Sequence, residues 1–447
     1  MTNPSPISPA FHNFMRNGDS REKMDALVIY RAPKANTLPP PRGRLRDLQN
    51  RLDSIKAAQR PVEAKLFSQY NKVSGGHVPG GQSLGIERVG DILPVAKADV
   101  TPRTLPELAE QPNVIAILPN QKIRLIQPKE INYKSLQKNE SKNKLTWGLE
   151  RLGVPALWDT TKGAKINVAV LDTGVHGDHP ALKGRVKDFV VFDPLGRRIE
   201  SNPSFDAGQH GTHVCGTIAG GKTPDGVSIG VAPEANLVVA ACLIGDATLL
   251  TLIRAIEWAI GRDADIISMS LGFTYYEPLF AEVFRDLIEK YGVLPIVAIG
   301  NENHGNTSSP GSAHNALSVG ALESMPRGKV DVASFSSGAS LVFPGEEVAL
   351  VTKPDVVAPG VQVYSCIPPE RRNGKDYEYT YMDGTSMATP HVAGVAALLM
   401  AAKPDAPVAT IAQALRDTAE HPSGKEKTPD NRWGYGMIRP AEALKVL

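Results

Sequence analysis

The chain has 447 residues, 42% of them hydrophobic, which is enough for two domains with real cores. Its 49 basic and 47 acidic residues leave a net charge of +2, so there is no electrostatic case for nucleic acid or an anionic membrane as a partner. The three cysteines, Cys215, Cys242 and Cys366, form no motif and cannot all pair internally; Met1 to Asn17 has no secretory signal and no run spans a bilayer, so the expected compartment is a reducing cytoplasm.

In chain order, residues 1–22 are polar and proline-containing and are expected to be disordered. Ala26 to Ala32 reads as a strand. Leu45, Leu48, Leu52 and Ile55 recur at helical spacing, Arg60-Pro61 ends or kinks that helix, and a second helical stretch covers 62–70. Gly75 to Gly81 is a flexible loop. A strand near 92–98, a short helix near 105–109 and strands at 114–118 and 123–126 follow. Interleaved in this way, residues 23–127 suggest a small α+β unit of the split βαβ kind. The basic stretch from Lys134 to Lys144 is also Asn- and Ser-rich, so 128–145 reads as a solvated linker. From residue 146 to 447 the pattern changes. Apolar strands (166–171, 237–241, 266–269, 294–299, 316–319) alternate with helices (249–260, 280–289), which implies a parallel sheet covered by helices on both faces.

Four segments of this second unit carry candidate chemistry. Ser386 follows the turn Gly384-Thr385 and opens an apolar helix running to Met400; Pro390 is expected to fall in the first turn, where it is tolerated. A serine there is placed for attack on a carbonyl beside unpaired backbone donors, or it is an ordinary N-cap. Asp172 closes a buried strand, at the sheet edge where open α/β sheets hold their sites; it could equally bond its own turn. His210 and His213 lie three apart. Metal binding is one reading, but no acid stands between them as in His-Glu-x-x-His and no third ligand is near, so His210 is the freer group and His213 a structural one. Asn301 ends the strand of 294–299 and could offer its amide to an oxyanion, or simply cap a turn.

Asp172-Thr-Gly, His210-Gly-Thr-His, Ser270-Leu-Gly272, Gly300-Asn301 and Gly384-Thr-Ser386-Met-Ala-Thr-Pro resemble the subtilisin-like serine peptidases, in that family's order of Asp, His and Ser. The resemblance runs from about Thr146 to the end, including Gly434-Tyr-Gly436. It implies that Ser386 is the nucleophile, His210 the general base and then acid, Asp172 the group that orients the imidazole, and Asn301 with the Ser386 amide the oxyanion hole. Ser270, Leu271 and Gly272 look like the edge strand that pairs with an extended protein or peptide substrate, with the Gly245-Asp-Ala247 region opposite. Glu302 lies near the expected first specificity pocket, where it would admit a basic side chain. The unit before residue 128 resembles the family's inhibitory prodomain, whose tail, about 127–145, would cross the active site. No cofactor is expected. Relatives often bind a structural calcium through His-Pro-Asp; here the stretch is His179-Pro180-Ala181, which removes a ligand, so that site is expected to be absent or weak. The charged stretch 368–380 is expected to be a loop on the primed side. An activating partner is expected for a peptidase restrained in this way. A catalytically idle peptide-binding module and an esterase or acyltransferase are the competing functions.

Overall fold

The computed structural model describes residues 5–19, 22–31, 41, 47–73, 85–129, 144–273, 275–343, 349–372 and 374–447. Gly75 to Gly81 and most of the expected linker lie outside them.

The N-terminal unit is a four-stranded antiparallel sheet. Its spatial order is Ile86–Arg88, Val95–Val100, Met24–Tyr30, Val114–Pro119. With the helices Leu48–Val73 and Thr104–Ala109 in their places along the chain, this is a βαββαβ, ferredoxin-like plan. Two expectations are corrected here. Residues 48–73 form one helix that continues through Pro61. Leu52 and Ile55 before the proline and Leu66 and Tyr70 after it are all buried, so packing on both sides outweighs the lost helical bond. The first residues are not disordered over 5–19. Ser8 N donates to Ile117 O (2.9 Å) and Ile117 N to Pro6 O (2.7 Å). Pro9–Phe11 and His12–Asn17 then turn so that Phe11 and Phe14, three apart, cover the sheet at Val28, Tyr30 and Val100.

The second unit is built on a nine-stranded sheet. Its order is Val330–Val332, Leu317–Ser324, Leu294–Ala298, Ile266–Met269, Asn167–Asp172, Asn236–Ala241, Val186–Phe192, Arg198–Ile199, with Val356–Pro359 also beside Leu317–Ser324. All pairings are parallel except those of the two outermost strands. Alternate residues of the central strands face two cores. Val168 and Val170 join the helices His210–Ala219 and Thr385–Ala402. Ala169 and Leu171 join Leu249–Gly261 and the 281–291 region. Thr385–Ala402 is, among the described residues, the one helix long and apolar enough to cross a membrane, and it is buried within this core.

The two units share the second core. Leu27, Ile29, Leu52 and Ile55 pack with Leu250, Ile253 and Ile256. Glu257 accepts the amides of Ile92 (3.1 Å) and Leu93 (2.6 Å), and burial raises its carboxyl to about 7. Arg31 pairs with Glu282 (2.9 Å) and Asp286 (2.8 Å). Gly90 leaves room for this carboxylate: a Cβ there would lie 1.2 Å from Glu257 Oε2, so a larger residue would have to displace it.

Candidate active site

Asp172 is the last residue of its strand and is fully buried. His210 is the first residue of the helix His210–Ala219, and its Nδ1 lies 2.8 and 3.0 Å from the two carboxylate oxygens of Asp172. A carboxylate only accepts, so Nδ1 carries the proton and Nε2 is left as the basic nitrogen. That Nε2 is buried and makes no hydrogen bond. His213, on the same helix, donates its Nε2–H to Val363 O (3.0 Å), and burial lowers its imidazole to about 3. It is neutral and fully buried.

Ser386 is the second residue of the helix Thr385–Ala402, which Gly384 caps. Pro390 is the sixth residue, beyond the first turn. The amide it lacks would have bonded Ser386 O, and the Ser270 hydroxyl donates to that carbonyl instead (3.2 Å). Ser270 therefore braces the turn that carries Ser386 as well as bordering the cleft.

Asn301 follows the strand Leu294–Ala298 through Gly300, whose φ of +117° excludes a side chain. Thr385 donates both its amide and its hydroxyl to Asn301 Oδ1, each at 2.9 Å. Two donors on one atom identify it as the oxygen. The NH2 group is thereby aimed into the cleft, where it donates to Gln127 O (2.9 Å).

That contact reveals the occupant of the cleft. Arg124–Leu125 pairs antiparallel with Leu271–Gly272. Ile126 N donates to Ser270 O (3.1 Å), and Ile123 N to Ala247 O (3.0 Å). Lys122 pairs with Thr248 and forms an ion pair with Asp246 (2.9 Å). Lys129 N donates to Asp383 O (2.8 Å). The chain's own segment 122–129 thus lies extended in the cleft, paired with the strand Leu271–Gly272 on one side and bonded to the turn 246–248 on the other. Ser386 donates its hydroxyl to Ile126 O (3.0 Å).

Several expectations shift accordingly. The cleft is entered by residues 122–126, ahead of the expected tail of 127–145. The strand Leu271–Gly272 pairs with the chain's own Arg124–Leu125, and Ser270 just before it accepts the Ile126 amide. Gly245 is exposed, and the opposing contacts come from Asp246, Ala247 and Thr248. Glu302 is exposed, its amide donates to Ser337 Oγ (2.9 Å), and the residue beside Ser270 is the aliphatic Ile126. Residues 368–380 are not a loop but the outer part of a hairpin, Val363–Arg372 with Lys375–Met382. Its stacked Tyr364 and Tyr379 explain why so charged a stretch is extended. Ala181 is buried and its carbonyl accepts Gly221 N (2.8 Å). The sequence reading also missed Thr385 as the partner of Asn301, although the adjacency to Ser386 was a signal, and it missed Asp206, which stands four residues before His210.

A parallel α/β sheet that gathers Asp172, His210, Asn301 and Ser386 around a peptide-pairing cleft defines a subtilisin-like serine peptidase. The Peptidase S8 profile of the subtilase family matches residues 163–436, and the chain belongs to that family. It is 36% identical over 281 residues to the "Intracellular serine protease" of Paenibacillus polymyxa, covering 60% of this chain and 77% of that protein. It is 34% identical over 293 residues to Subtilisin E of Bacillus subtilis (strain 168), covering 63% and 68%. Among solved structures it resembles fervidolysin from Fervidobacterium pennivorans, described as a keratinolytic enzyme related to subtilisin, with a TM-score of 0.67 and 25% identity. That likeness covers 96% of this chain but 62% of fervidolysin. The chain is accordingly a subtilisin-like serine peptidase, a hydrolase of peptide bonds.

Proposed function

We propose that Ser386, His210 and Asp172 act as the catalytic triad of a serine endopeptidase and that residues 23–127 act as its inhibitory prodomain. His210 Nε2 takes the hydroxyl proton as Ser386 Oγ bonds to the substrate carbonyl carbon. The oxyanion is held by Asn301 Nδ2 and the Ser386 amide. The imidazolium, stabilised by Asp172, gives its proton to the leaving amine as the C–N bond breaks. A water, deprotonated by the same imidazole, then cleaves the acyl-enzyme. The observations that carry this reading are the pairing of His210 with Asp172 and, on the helix packed against that of His210, a Ser386 hydroxyl 3.0 Å from a peptide carbonyl oxygen.

The register of the bound segment supports self-inhibition. Ile126 occupies the position whose amide meets Ser270, so Ile126–Gln127 is the bond presented for cleavage. Yet Ser386 donates to the Ile126 oxygen, and Asn301 holds the next carbonyl, that of Gln127. A hydroxyl bonded to oxygen is not placed to attack carbon, and the oxyanion donor is one residue out of step. Pro128 follows directly. A protein or peptide substrate, or an activating partner, must displace this segment.

A fluorophosphonate probe tests the reading. Once the segment has left the cleft, Ser386 is the residue expected to be labelled, and both peptide and ester substrates are expected to be cleaved. Absence of labelling would support an idle binding module, and cleavage of esters alone an esterase. Asn301→Ala is expected to lower kcat on the order of 10²–10³-fold with KM little changed, the size of effect seen for that donor in subtilisin. An effect confined to KM would remove Asn301 from the oxyanion hole.

Residence in the cytoplasm is supported by three buried free thiols and by the likeness to a protease named intracellular. No metal cofactor is proposed. A chelator is expected to move the melting temperature by less than about 5 °C, since loss of a bound ion would remove its binding energy from the folded state; a larger drop would show a calcium site elsewhere.

A further inference from the structure

Asp206 belongs to none of the motifs, yet it accepts four hydrogen bonds at the junction of acid and base. Its Oδ1 receives the Thr173 hydroxyl (2.7 Å) and the Gly208 amide (2.9 Å). Its Oδ2 receives the Thr212 amide (2.8 Å) and hydroxyl (2.7 Å). Thr173 is joined to Asp172, whose Oδ1 accepts the Thr173 amide (2.7 Å), and the Thr173 hydroxyl oxygen accepts Gly211 N (3.0 Å). Thr212 lies in the first turn of the helix that His210 begins, and its hydroxyl oxygen accepts His176 N (2.9 Å).

The amides of a first helical turn have no intrahelical partner. Here the residue in the N-cap position, Gln209, makes no side-chain cap; its amide reaches Glu370 instead. Gly211 and Thr212 are therefore capped from outside the helix, by Thr173 and Asp206. The loop that carries Asp206 is itself tied to the strand end, with Val175 N on Phe205 O (3.0 Å) and Ala207 N on Thr173 O (3.0 Å). One carboxylate thus sets the register of the helix bearing His210 against the strand bearing Asp172.

We infer that Asp206 is a positioning residue for the Asp172–His210 pair, acting through Thr173 and Thr212 to fix the direction in which the imidazole faces Ser386. The inference rests on the triad reading. It requires a carboxylate. Each of its oxygens faces one backbone N–H, and an amide in either orientation would set its own NH2 against one of them. Asparagine is therefore a poor substitute, unlike at an ordinary N-cap, where it ranks with aspartate.

The test starts from the full chain and is read once segment 122–129 has left the cleft, with active sites counted by exhaustive fluorophosphonate labelling so that misfolded molecules drop out. Asp206→Asn is expected to lower kcat per site by about 10²-fold, the penalty of a misplaced catalytic group, with KM unchanged because the pairing strand is untouched. Thr173→Val breaks the same bridge and is expected to lose a similar factor, which Thr173→Ser recovers by restoring the hydroxyl. The double variant Asp206→Asn/Thr173→Val should be no slower than the worse single one, as expected of groups acting in series. A kcat per site equal to that of the parent, with only a lower melting temperature, would overturn the inference, and so would losses that multiply independently. A parent chain that hydrolyses no peptide would instead sink the triad reading itself.

Discussion

Ser386→Ala is expected to abolish peptide hydrolysis and to leave the purified chain uncut. Alanine is the best helix former and smaller than serine, so the helix Thr385–Ala402 keeps its fold. What disappears is the hydroxyl proposed to bond the substrate carbon, together with its contact to Ile126 O. In subtilisin the corresponding loss costs on the order of 10⁶ in turnover, because base and orienting acid have nothing left to act on. Turnover of a chromogenic peptide measures the first effect. The intact mass of the chain, fresh and after incubation, measures the second. Hydrolysis at the parent rate would exclude Ser386 as nucleophile. Hydrolysis lost but processing retained would assign maturation to a different protease.

The parts of the fold that sequence pattern made legible are those where local chemistry and tertiary role coincide. Val168 to Leu171 is apolar on every residue because both faces of a central parallel strand are covered, and the polar residue that ends the run, Asp172, marks the sheet edge. Leu294 to Ile299 ahead of Asn301 reads the same way. Val186–Phe192 did not, because Lys187 and Asp188 break the run at a register irregularity near the sheet margin. The stretch 368–380 reads as a loop in sequence because its pairing and tyrosine stacking are properties of the hairpin and not of either strand alone. Phe11 and Phe14 looked isolated among polar residues until the sheet that buries them was formed. Asp206 is the sharpest case. A turn aspartate four residues before a helix gives no sign that it bonds Thr173, the residue after Asp172. The substrate-like register of 122–129 was likewise invisible, since it is set by which carbonyls Ser270 and Asn301 happen to meet.

Ile123→Asp combined with Ile126→Asp is expected to open the cleft of the full chain before any bond is cut. Ile123 and Ile126 are 3% and 8% exposed, and both lie against the catalytic unit. Full burial of such a side chain contributes about 1.5–3 kcal/mol, so losing two weakens the docked segment by about 3–6 kcal/mol, or roughly 10²–10⁴ in equilibrium constant. Placing carboxylates in those apolar positions adds a desolvation cost on top. The backbone pairing to Ser270, Gly272 and Ala247 is available to any peptide, so it does not compensate. The segment is tethered by contacts far from the cleft, including Glu257 with Ile92 and Leu93 and Arg31 with Asp286. That tether keeps its effective concentration high, so a weakened segment still competes with substrate, and the gain is read at the lower end of the range. Fluorophosphonate labelling in the first minutes after purification is therefore expected to rise by about 10²-fold over the parent, with the intact mass unchanged. Labelling at the parent rate would mean that residues 122–129 do not govern access to Ser386, whatever contacts they make there.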